Sequence, residues 1–237
     1  MANQQDMAAA SSVKAWKQRT SLVGVIASDS DLARAVRLHR PPDIFELRLD
    51  SLYPLNAAIE HKIARLRTPL IATARHPREG GQNALSAKQR RDLLLRFLPL
   101  ASFVDVELRS AGPQEGVLEA ANAAQVKRII SWHNLDRTPS LQALQRIARR
   151  AEKLAPDILK IVTRTDRRED MERLLEFFDR ECARLPLCVM GVGRLGRQSR
   201  IALTRRGILF HYVHLGTAVV AGQFSLASAR QLHRPIH

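Results

Sequence analysis

One lysine lies inside an apolar stretch of the sequence. Lys160 is embedded in Asp-Ile-Leu-Lys-Ile-Val, which has the composition of a buried β-strand. Burial disfavours the charged ammonium and so favours the free amine, the nucleophile that forms a Schiff base with a carbonyl substrate. A buried lysine that is only held by a carboxylate explains this stretch equally well. Both interpretations stay open at this point.

A histidine at the end of the preceding strand could move protons. His133 closes Ile-Ile-Ser-Trp-His, the predicted strand before the lysine strand. Histidine titrates near neutral pH and suits general acid–base catalysis. A single histidine at a strand end is usually structural, but its expected closeness to Lys160 favours a catalytic role.

Two further segments supply a carboxylate and arginines. Arg75 and Glu79 lie in Thr-Ala-Arg-His-Pro-Arg-Glu-Gly-Gly, a loop in which the paired glycines let the backbone bend or move. Arg200 closes Gly-Arg-Gln-Ser-Arg, and its planar guanidinium fits a carboxylate. An anionic small substrate would suit these residue types.

Other catalytic motifs are weak or missing. Gly191-Val-Gly-Arg-Leu-Gly196 matches the GxGxxG pattern of dinucleotide-binding loops. Such a site also needs an acidic residue about 20 positions later for the ribose, and no Asp or Glu follows Glu181. No His/Cys/Asp cluster has the spacing of metal ligands, and the GxSxG motif is missing. We therefore expect neither a dinucleotide nor a metal.

Eight β-rich segments, each followed by a potential helix, must position these residues. Strand–helix alternation implies a parallel sheet, and eight repeats indicate an α/β fold of the (β/α)8 TIM-barrel type. Ser86 with Gln89, and Asp166 with Glu169, resemble capping boxes that begin two of the helices. We predict a single catalytic domain over residues 21–237. The predicted strands are Leu22–Ala27, Ile44–Asp50, Leu70–Arg75, Phe103–Leu108, Arg128–His133, Ile158–Arg164, Leu187–Gly193 and Phe210–Gly216.

Charged residues share one face of the second predicted strand and of the fourth. Helices cover the outside of a barrel, so these faces must point to its centre, where an unpaired charge is costly. A structural ion-pair network would explain one such pair. The convergence of Arg75, His133 and Lys160 near strand ends instead favours a polar site at the barrel mouth. The five charged residues are Glu46, Arg48, Asp50, Asp105 and Glu107.

The composition limits the class of protein. The chain has 237 residues, of which 45% are apolar, so one domain can bury a sizeable core. No apolar run is long enough to span a bilayer, and the polar segment Met1–Thr20 predicts a flexible tail rather than a secretory signal. Cys182 and Cys188 form no CxxC pattern and predict reduced thiols in a cytoplasmic protein.

The net charge of +15 first suggests a nucleic-acid partner. The basic residues are spread along the whole chain, however, and only 5% of the residues are aromatic, which leaves no stacking platform. We interpret the charge as a solvated basic surface and expect no specific nucleic acid and no membrane partner.

Seven short motifs in one order resemble the type I 3-dehydroquinate dehydratase family. They cover the chain from about Leu22 onward, nearly one at every strand end. Each is weak alone, whereas the ordered set is specific. The motifs are Glu-Leu-Arg-Leu-Asp (46–50), Thr-Ala-Arg-His-Pro-Arg-Glu-Gly-Gly (73–81), Val-Asp-Val-Glu-Leu (104–108), Ser-Trp-His-Asn (131–134), Ile-Leu-Lys-Ile (158–161), Gly-Arg-Gln-Ser-Arg (196–200) and Ala-Gly-Gln (221–223).

The resemblance implies a dehydration of 3-dehydroquinate to 3-dehydroshikimate in the shikimate pathway, without metal or cofactor. By this resemblance, Lys160 forms the imine with the substrate ketone. His133 removes the proton from the neighbouring carbon and later protonates the departing hydroxyl. Glu79 matches the carboxylate that orients His133. The resemblance also implies a homodimer.

The resemblance assigns substrate contacts to five further residues. Glu46, Arg48 and Arg75 match positions that hold ring hydroxyls. Arg200 matches the residue that pairs with the substrate carboxylate, and Gln223 matches the glutamine of the loop that closes over the substrate. We predict all five as substrate-binding.

The lid departs from the family pattern. Ser-Ala-Pro-Gly-Gln is usual there, whereas this chain has Val219-Val-Ala-Gly-Gln223. Val219 has no hydroxyl to offer to the carboxylate, and loss of one hydrogen bond to a charged group costs about 1.5–3 kcal/mol. The sequence therefore predicts a weaker hold on the carboxylate.

Three alternatives remain open from the sequence. Another Schiff-base barrel enzyme, such as an aldolase acting on a phosphorylated sugar, would place a phosphate site after the seventh and eighth strands. A basic nucleic-acid-binding protein would show steeply salt-dependent binding. A barrel that has lost activity and binds a partner is the third. The intact Lys160, His133 and Glu79 argue against it, whereas Val219 argues weakly for it.

Overall fold

The structure is a computed structural model that describes residues 20–233. The predicted tail lies outside the described residues, apart from Thr20. Eight strands alternate with helices, as the sequence predicts, and a short ninth strand follows, so the fold is the predicted α/β barrel. The strands are β1 (Ser21–Ile26), β2 (Ile44–Arg48), β3 (Leu70–Thr73), β4 (Phe103–Glu107), β5 (Lys127–Asn134), β6 (Ile158–Arg164), β7 (Leu187–Val192), β8 (Phe210–His214) and β9 (Phe224–Ser225).

Helices of 4 to 14 residues connect the strands. Two short 3-10 helices, Pro77–Glu79 and Leu108–Ser110, follow β3 and β4 and carry side chains of the site described below, and a third, Leu98–Leu100, precedes β4. The α-helices are α1 (Asp29–Arg37), α2 (Leu49–Leu52), α3 (Ala57–Ala64), α4 (Ala87–Phe97), α5 (Glu115–Ala123), α6 (Leu141–Glu152), α7 (Arg168–Glu181), α8 (Gly196–Arg205) and α9 (Leu226–Leu232).

The barrel has one seam without a regular strand ladder. Hydrogen-bonded strands follow the order β7-β6-β5-β4-β3-β2-β1-β8-β9, and every pair is parallel. At the seam β7 meets β8 through isolated contacts, such as the amide of Leu209 with the carbonyl of Leu187 at 3.4 Å. Cys188 Sγ also donates to the carbonyl of Phe210 at 3.5 Å. This seam leaves backbone carbonyls for side chains to bind.

Apolar side chains close the barrel near the amino ends of the strands. Phe103 and Phe210 meet edge to face there, with ring centroids 5.5 Å apart. They belong to a buried interior cluster with Val23, Ile44 and Ile71. A second apolar layer packs the outer faces of the strands against the helices. Among residues 20–233, these side chains fill the amino-end side of the barrel, and the interior opens toward the carboxyl ends of the strands.

Local capping decides where the helices begin. Ser86 Oγ accepts from the Gln89 amide, and Gln89 Oε1 accepts from the Ser86 amide. These two bonds confirm the predicted capping box of α4. The prediction that Asp166 caps α7 is wrong, because this helix begins at Arg168 and Asp170 bonds the Arg167 amide. Asp166 instead accepts from Arg164 at the end of β6 and from the backbone amide of Arg194 after β7. Among residues 20–233, no helix is both long and apolar enough to cross a membrane.

The strand register sets the levels of the polar side chains inside the barrel. Glu107 of β4 pairs with Ser131 of β5, and Ser131 pairs with Lys160 of β6. His133 lies two residues after Ser131, so its side chain projects on the same inward face, one level nearer to the mouth. The register therefore places His133 above the lysine on the adjacent strand.

Candidate active site

One cavity of about 240 Å³ opens at the carboxyl ends of the strands. All eight residues that the sequence predicts for the site line it, although they come from strands, loops and a helix that are far apart in the chain. This location is the usual one for an active site in a (β/α)8 barrel. The eight residues are Glu46, Arg48, Arg75, Glu79, His133, Lys160, Arg200 and Gln223.

Lys160 lies between two carboxylates and an aromatic ring. Its Nζ donates to Glu46 Oε1 at 3.1 Å and to Asp105 Oδ2 at 3.0 Å. The same atom lies 4.0 Å from the centroid of the Tyr212 ring, a cation–π distance. The buried lysine is thus held by carboxylates, and it also lines the cavity. Lys160 therefore fits both interpretations at once, because it is a buried lysine held by carboxylates and its amine also faces the cavity, where a nucleophile is needed.

Asp105 is the centre of a buried ionic network. It accepts from Arg75 Nη2 at 2.7 Å, from Ser131 Oγ at 2.6 Å and from Lys160. Burial would raise the pKa of Asp105, but the charges of Arg75 and Lys160 outweigh it and hold this pKa well below its usual range. Arg75 Nη1 also donates to Glu107 at 3.2 Å. Arg75 is therefore mainly a counterion within the network, and its predicted contact with substrate hydroxyls stays a prediction.

His133 and Glu79 form a hydrogen-bonded pair. His133 Nδ1 lies 2.9 Å from Glu79 Oε2, which also accepts from the His133 backbone amide at 3.0 Å. The loop can bring Glu79 here because the next two residues are glycines. Gly80 adopts a φ of 84°, which favours glycine, and any Cβ at Gly81 would lie only 2.2 Å from the carbonyl oxygen of Arg75. With Nδ1 bound to the carboxylate, Nε2 is the nitrogen left for the cavity.

The electrostatic environment keeps this histidine neutral. Burial, with the charges of Arg75 and Lys160, holds the pKa of His133 well below its usual value. Burial raises the pKa of Glu79 to about 7, against the opposing charges of Arg75 and Arg109. A neutral imidazole with a free Nε2 is suited to accept a proton near neutral pH.

Asp50 fixes Arg48 at the cavity wall. Arg48 donates from Nε and Nη2 to the two oxygens of Asp50, at 3.0 and 2.8 Å, and from Nη2 to the carbonyl of Gly80 at 3.0 Å. Asp50 also accepts from the backbone amides of Arg75 and Gln82. One buried carboxylate therefore ties the end of β2 to the loop that carries Glu79.

Arg200 is a buried cation without an acidic partner in the described residues. Its Nε donates to the carbonyl of Gly191 and its Nη1 to that of Tyr212, both at 3.2 Å, so it bridges the seam between β7 and β8. Burial lowers its pKa to about 10, which leaves it charged at neutral pH. The sequence after Glu181 contains no acidic residue that could pair with it. Arg200 lines the cavity and therefore offers its remaining N–H groups to an anion.

The loop before β9 covers one side of the cavity. Gln223 Oε1 accepts from the Val219 amide at 2.8 Å, and Val219, Val220 and Gln223 all line the cavity. Val219 is 36% exposed and brings no hydrogen-bonding side chain to the site. Apolar groups complete the wall at Val25, Leu135, Val162, Met190 and Val192.

The sequence does not predict the role of four residues in the site. Asp105 was placed on an inward face, but its central contacts were not foreseen. Ser131 belongs to the Ser-Trp-His-Asn motif but has no predicted role, and Tyr212 gives no signal beyond strand alternation. Arg109, which bonds Glu79, follows β4 in a 3-10 turn where no periodic pattern applies.

The fold and the cavity define a class of protein: an enzyme built on a (β/α)8 barrel, with charged groups converging at the carboxyl ends of its strands. Comparison with known proteins identifies the enzyme family within this class. Residues 23–237 match the family model of type I 3-dehydroquinase. The chain belongs to this family, and it is therefore a hydro-lyase.

Individual relatives agree with this assignment. The 3-dehydroquinate dehydratase of Methanothermobacter thermautotrophicus is 32% identical over 191 residues, which cover 80% of this chain and 83% of that protein. The solved structure of 3-dehydroquinate dehydratase from Aquifex aeolicus is 26% identical, with a TM-score of 0.75 over 89% of this chain and 96% of that chain. The structure of the enzyme from Geobacillus kaustophilus, at 24% identity and a TM-score of 0.82, covers 90% of both chains and shows the same fold.

Proposed function

We propose that this chain dehydrates 3-dehydroquinate to 3-dehydroshikimate in the shikimate pathway of aromatic amino-acid biosynthesis, through an imine on Lys160. One observation supports this most strongly: a lysine, a neutral histidine held by a glutamate and an arginine that no acidic residue among residues 20–233 pairs with line the same cavity. The substrate carries the matching groups, namely a ketone, a hydroxyl and a carboxylate. An aldolase acting on a sugar phosphate has no comparable support from the family assignment.

The first step is formation of the imine. Lys160 gives a proton to His133, which lies one level nearer to the mouth, and the free amine adds to the ketone carbon. Protonated His133 returns its proton to the carbinolamine hydroxyl, which leaves as water, so that His133 is neutral again and a protonated imine forms. Its positive charge replaces that of the ammonium between Glu46 and Asp105, so the charge balance of the buried network is unchanged.

Elimination follows from the electron-withdrawing imine. His133 Nε2 removes a proton from the carbon next to the imine carbon, and the electron pair forms an enamine. The enamine expels the hydroxyl from the following carbon, while the protonated His133 returns the proton to it, so that water leaves. Ionised Glu79 stabilises the imidazolium between these two transfers. Hydrolysis of the imine then consumes one water and frees the product and Lys160. Since imine formation and elimination each release one water, the net change is the loss of one water.

The remaining side chains hold the substrate in place. Arg200 pairs with the carboxylate, since no acidic side chain in the described part of the chain occupies it, and Gln223 supports it from the lid. Arg48 is held by Asp50 at the wall, where it and Glu46 can bond ring hydroxyls. These contacts align the reacting carbon with His133.

The test is direct observation of the product. Dehydration creates a conjugated enone, so ultraviolet absorbance reports turnover of 3-dehydroquinate. We expect the wild-type chain and Lys88→Met, which removes an exposed surface lysine, to turn over substrate, whereas Lys160→Met loses at least about 10³-fold in kcat. Circular dichroism checks the fold of each protein. Folded wild-type protein that forms no enone would refute the proposal.

The assembly and compartment of the chain are part of the same proposal. We infer a homodimer in the cytoplasm, from the family resemblance for the dimer and from the two free cysteines, Cys182 and Cys188, for a reducing compartment. Light scattering of the purified protein should give twice the chain mass of 26.6 kDa. A monomer mass at micromolar concentration contradicts the dimer.

A further inference from the structure

Arg109 reaches the hydrogen-bonded pair of His133 and Glu79 from outside the cavity. It lies in the 3-10 turn after β4, and its Nε donates to Glu79 Oε1 at 2.8 Å. The other oxygen, Oε2, serves the backbone amide and Nδ1 of His133. The carboxylate is thus divided, with one oxygen held by Arg109 and one by the histidine.

We propose that Arg109 is a positioning residue, which keeps Glu79 ionised and oriented so that His133 presents a basic Nε2 to the substrate. This inference rests on the proposed dehydration, since it assigns a role toward the same histidine. Arg109 is not among the cavity-lining residues, so it acts through Glu79 rather than by contact with substrate.

Among the charged residues around Glu79, Arg109 is the arginine that bonds it directly. Arg75, Glu107, Arg109 and His133 surround this carboxylate. The charge of Arg75 lowers the pKa of Glu79 more than that of Arg109 does, but Arg75 is bonded to Asp105 and Glu107. Arg109 bonds Glu79 directly and makes its one ion pair in the described residues with it. The Glu79 side chain is fully buried, and that of Arg109 is 39% exposed. Arg109 therefore lies between a buried carboxylate and the solvent.

Loss of this partner has a specific consequence. Burial already raises the pKa of Glu79 to about 7 against the charge of Arg109, so removing that charge raises it further. A protonated Glu79 no longer fixes the hydrogen on Nδ1 of His133, and Nε2 loses its role as base. Activity then falls at neutral pH and returns at alkaline pH, where Glu79 ionises again.

The experiment measures kcat and KM from pH 5.5 to 10 for wild type, Arg109→Met, Arg109→Lys and the control Arg78→Met. Arg78 is exposed, precedes Glu79 directly and makes no ion pair with it in the described residues. For Arg109→Met we expect the acidic limb of kcat to move up by about half to one pH unit, a modest shift because the arginine is partly solvated. At pH 7, where Glu79 with a pKa of about 7 is half ionised in wild type, this is a loss of about 2- to 5-fold, with KM unchanged. Arg109→Lys should restore most of the activity, and Arg78→Met should match wild type.

Three results would overturn the inference: an unshifted limb, a loss that is equal at every pH, or an effect confined to KM. An inactive wild type would instead refute the proposed function, and nitrogen NMR of labelled histidine then tests Arg109 without turnover. The His133 signals, assigned with His133→Gln, should show hydrogen on Nδ1 at pH 7 in wild type and a changed tautomer balance in Arg109→Met. Identical His133 signals in both proteins would exclude the role.

Discussion

Replacement of Arg200 by methionine should weaken substrate binding far more than it weakens the fold. Two of the five N–H groups of this guanidinium bind the carbonyls of Gly191 and Tyr212, which leaves three for a carboxylate. No acidic residue in the described chain competes for them. The substrate carboxylate is thus the natural counterion of Arg200.

The magnitude follows from the bonds that are lost. A bidentate carboxylate accepts two charged hydrogen bonds, each contributing about 1.5–3 kcal/mol. Even the lower end gives about 3 kcal/mol, a factor of about 150 in affinity. The two carbonyls at the seam also lose their donors, so we expect the free energy of unfolding to fall by about 2 kcal/mol.

Steady-state kinetics with 3-dehydroquinate separate the two effects. Arg200→Met should raise KM at least about 100-fold, and Arg200→Lys should give an intermediate KM because a lysine keeps the charge without the fork. Arg205→Met, at an exposed position in the same helix, is the matched control and should behave as wild type. A folded Arg200→Met protein with a KM within about threefold of wild type would show that the carboxylate binds elsewhere.

Three further changes test other parts of the site. The pKa of Glu79 is raised to about 7, so its ionised form is lost as the pH falls, and kcat/KM should decrease below about pH 7; a rate that is flat from pH 5.5 to 8 contradicts this. Val219→Ser adds a hydroxyl near the lid and should lower KM by up to about tenfold, and a higher KM would exclude that contact. Asp105→Asn leaves Arg75 and Lys160 with one carboxylate fewer and should lower the free energy of unfolding by about 3 kcal/mol in urea titrations; a loss below about 1 kcal/mol would contradict the network.

The fold was predictable because its signals are local. Short β-rich runs that alternate with helical segments located all eight principal strands, and most errors were at strand ends. β2 ends at Arg48 rather than Asp50, since Leu49 already begins a helical turn and Asp50 turns back to bind Arg48. Asp166 shows the limit of capping patterns, because its actual partners are an arginine at the end of β6 and a backbone amide of the loop after β7.

The site was predictable in its membership but less so in its connections. Residue types and their positions at strand ends indicated which side chains face the cavity. The pairing among these side chains depends on the register between strands that are distant in sequence. Arg75 illustrates this, because only the register of β3 to β5 reveals that it is bonded to Asp105 and Ser131. The contact of Arg109 with Glu79 depends on two 3-10 turns whose approach no sequence period encodes.

Trapping the imine tests the proposed mechanism more directly than any other experiment. The protein is mixed with 3-dehydroquinate, reduced with borohydride, and examined by intact mass and peptide mapping. We predict one reduced adduct per chain on Lys160, dependent on substrate and missing in Lys160→Met. Folded, active protein without an adduct, or an adduct on another lysine, would contradict the assignment of Lys160 as the nucleophile.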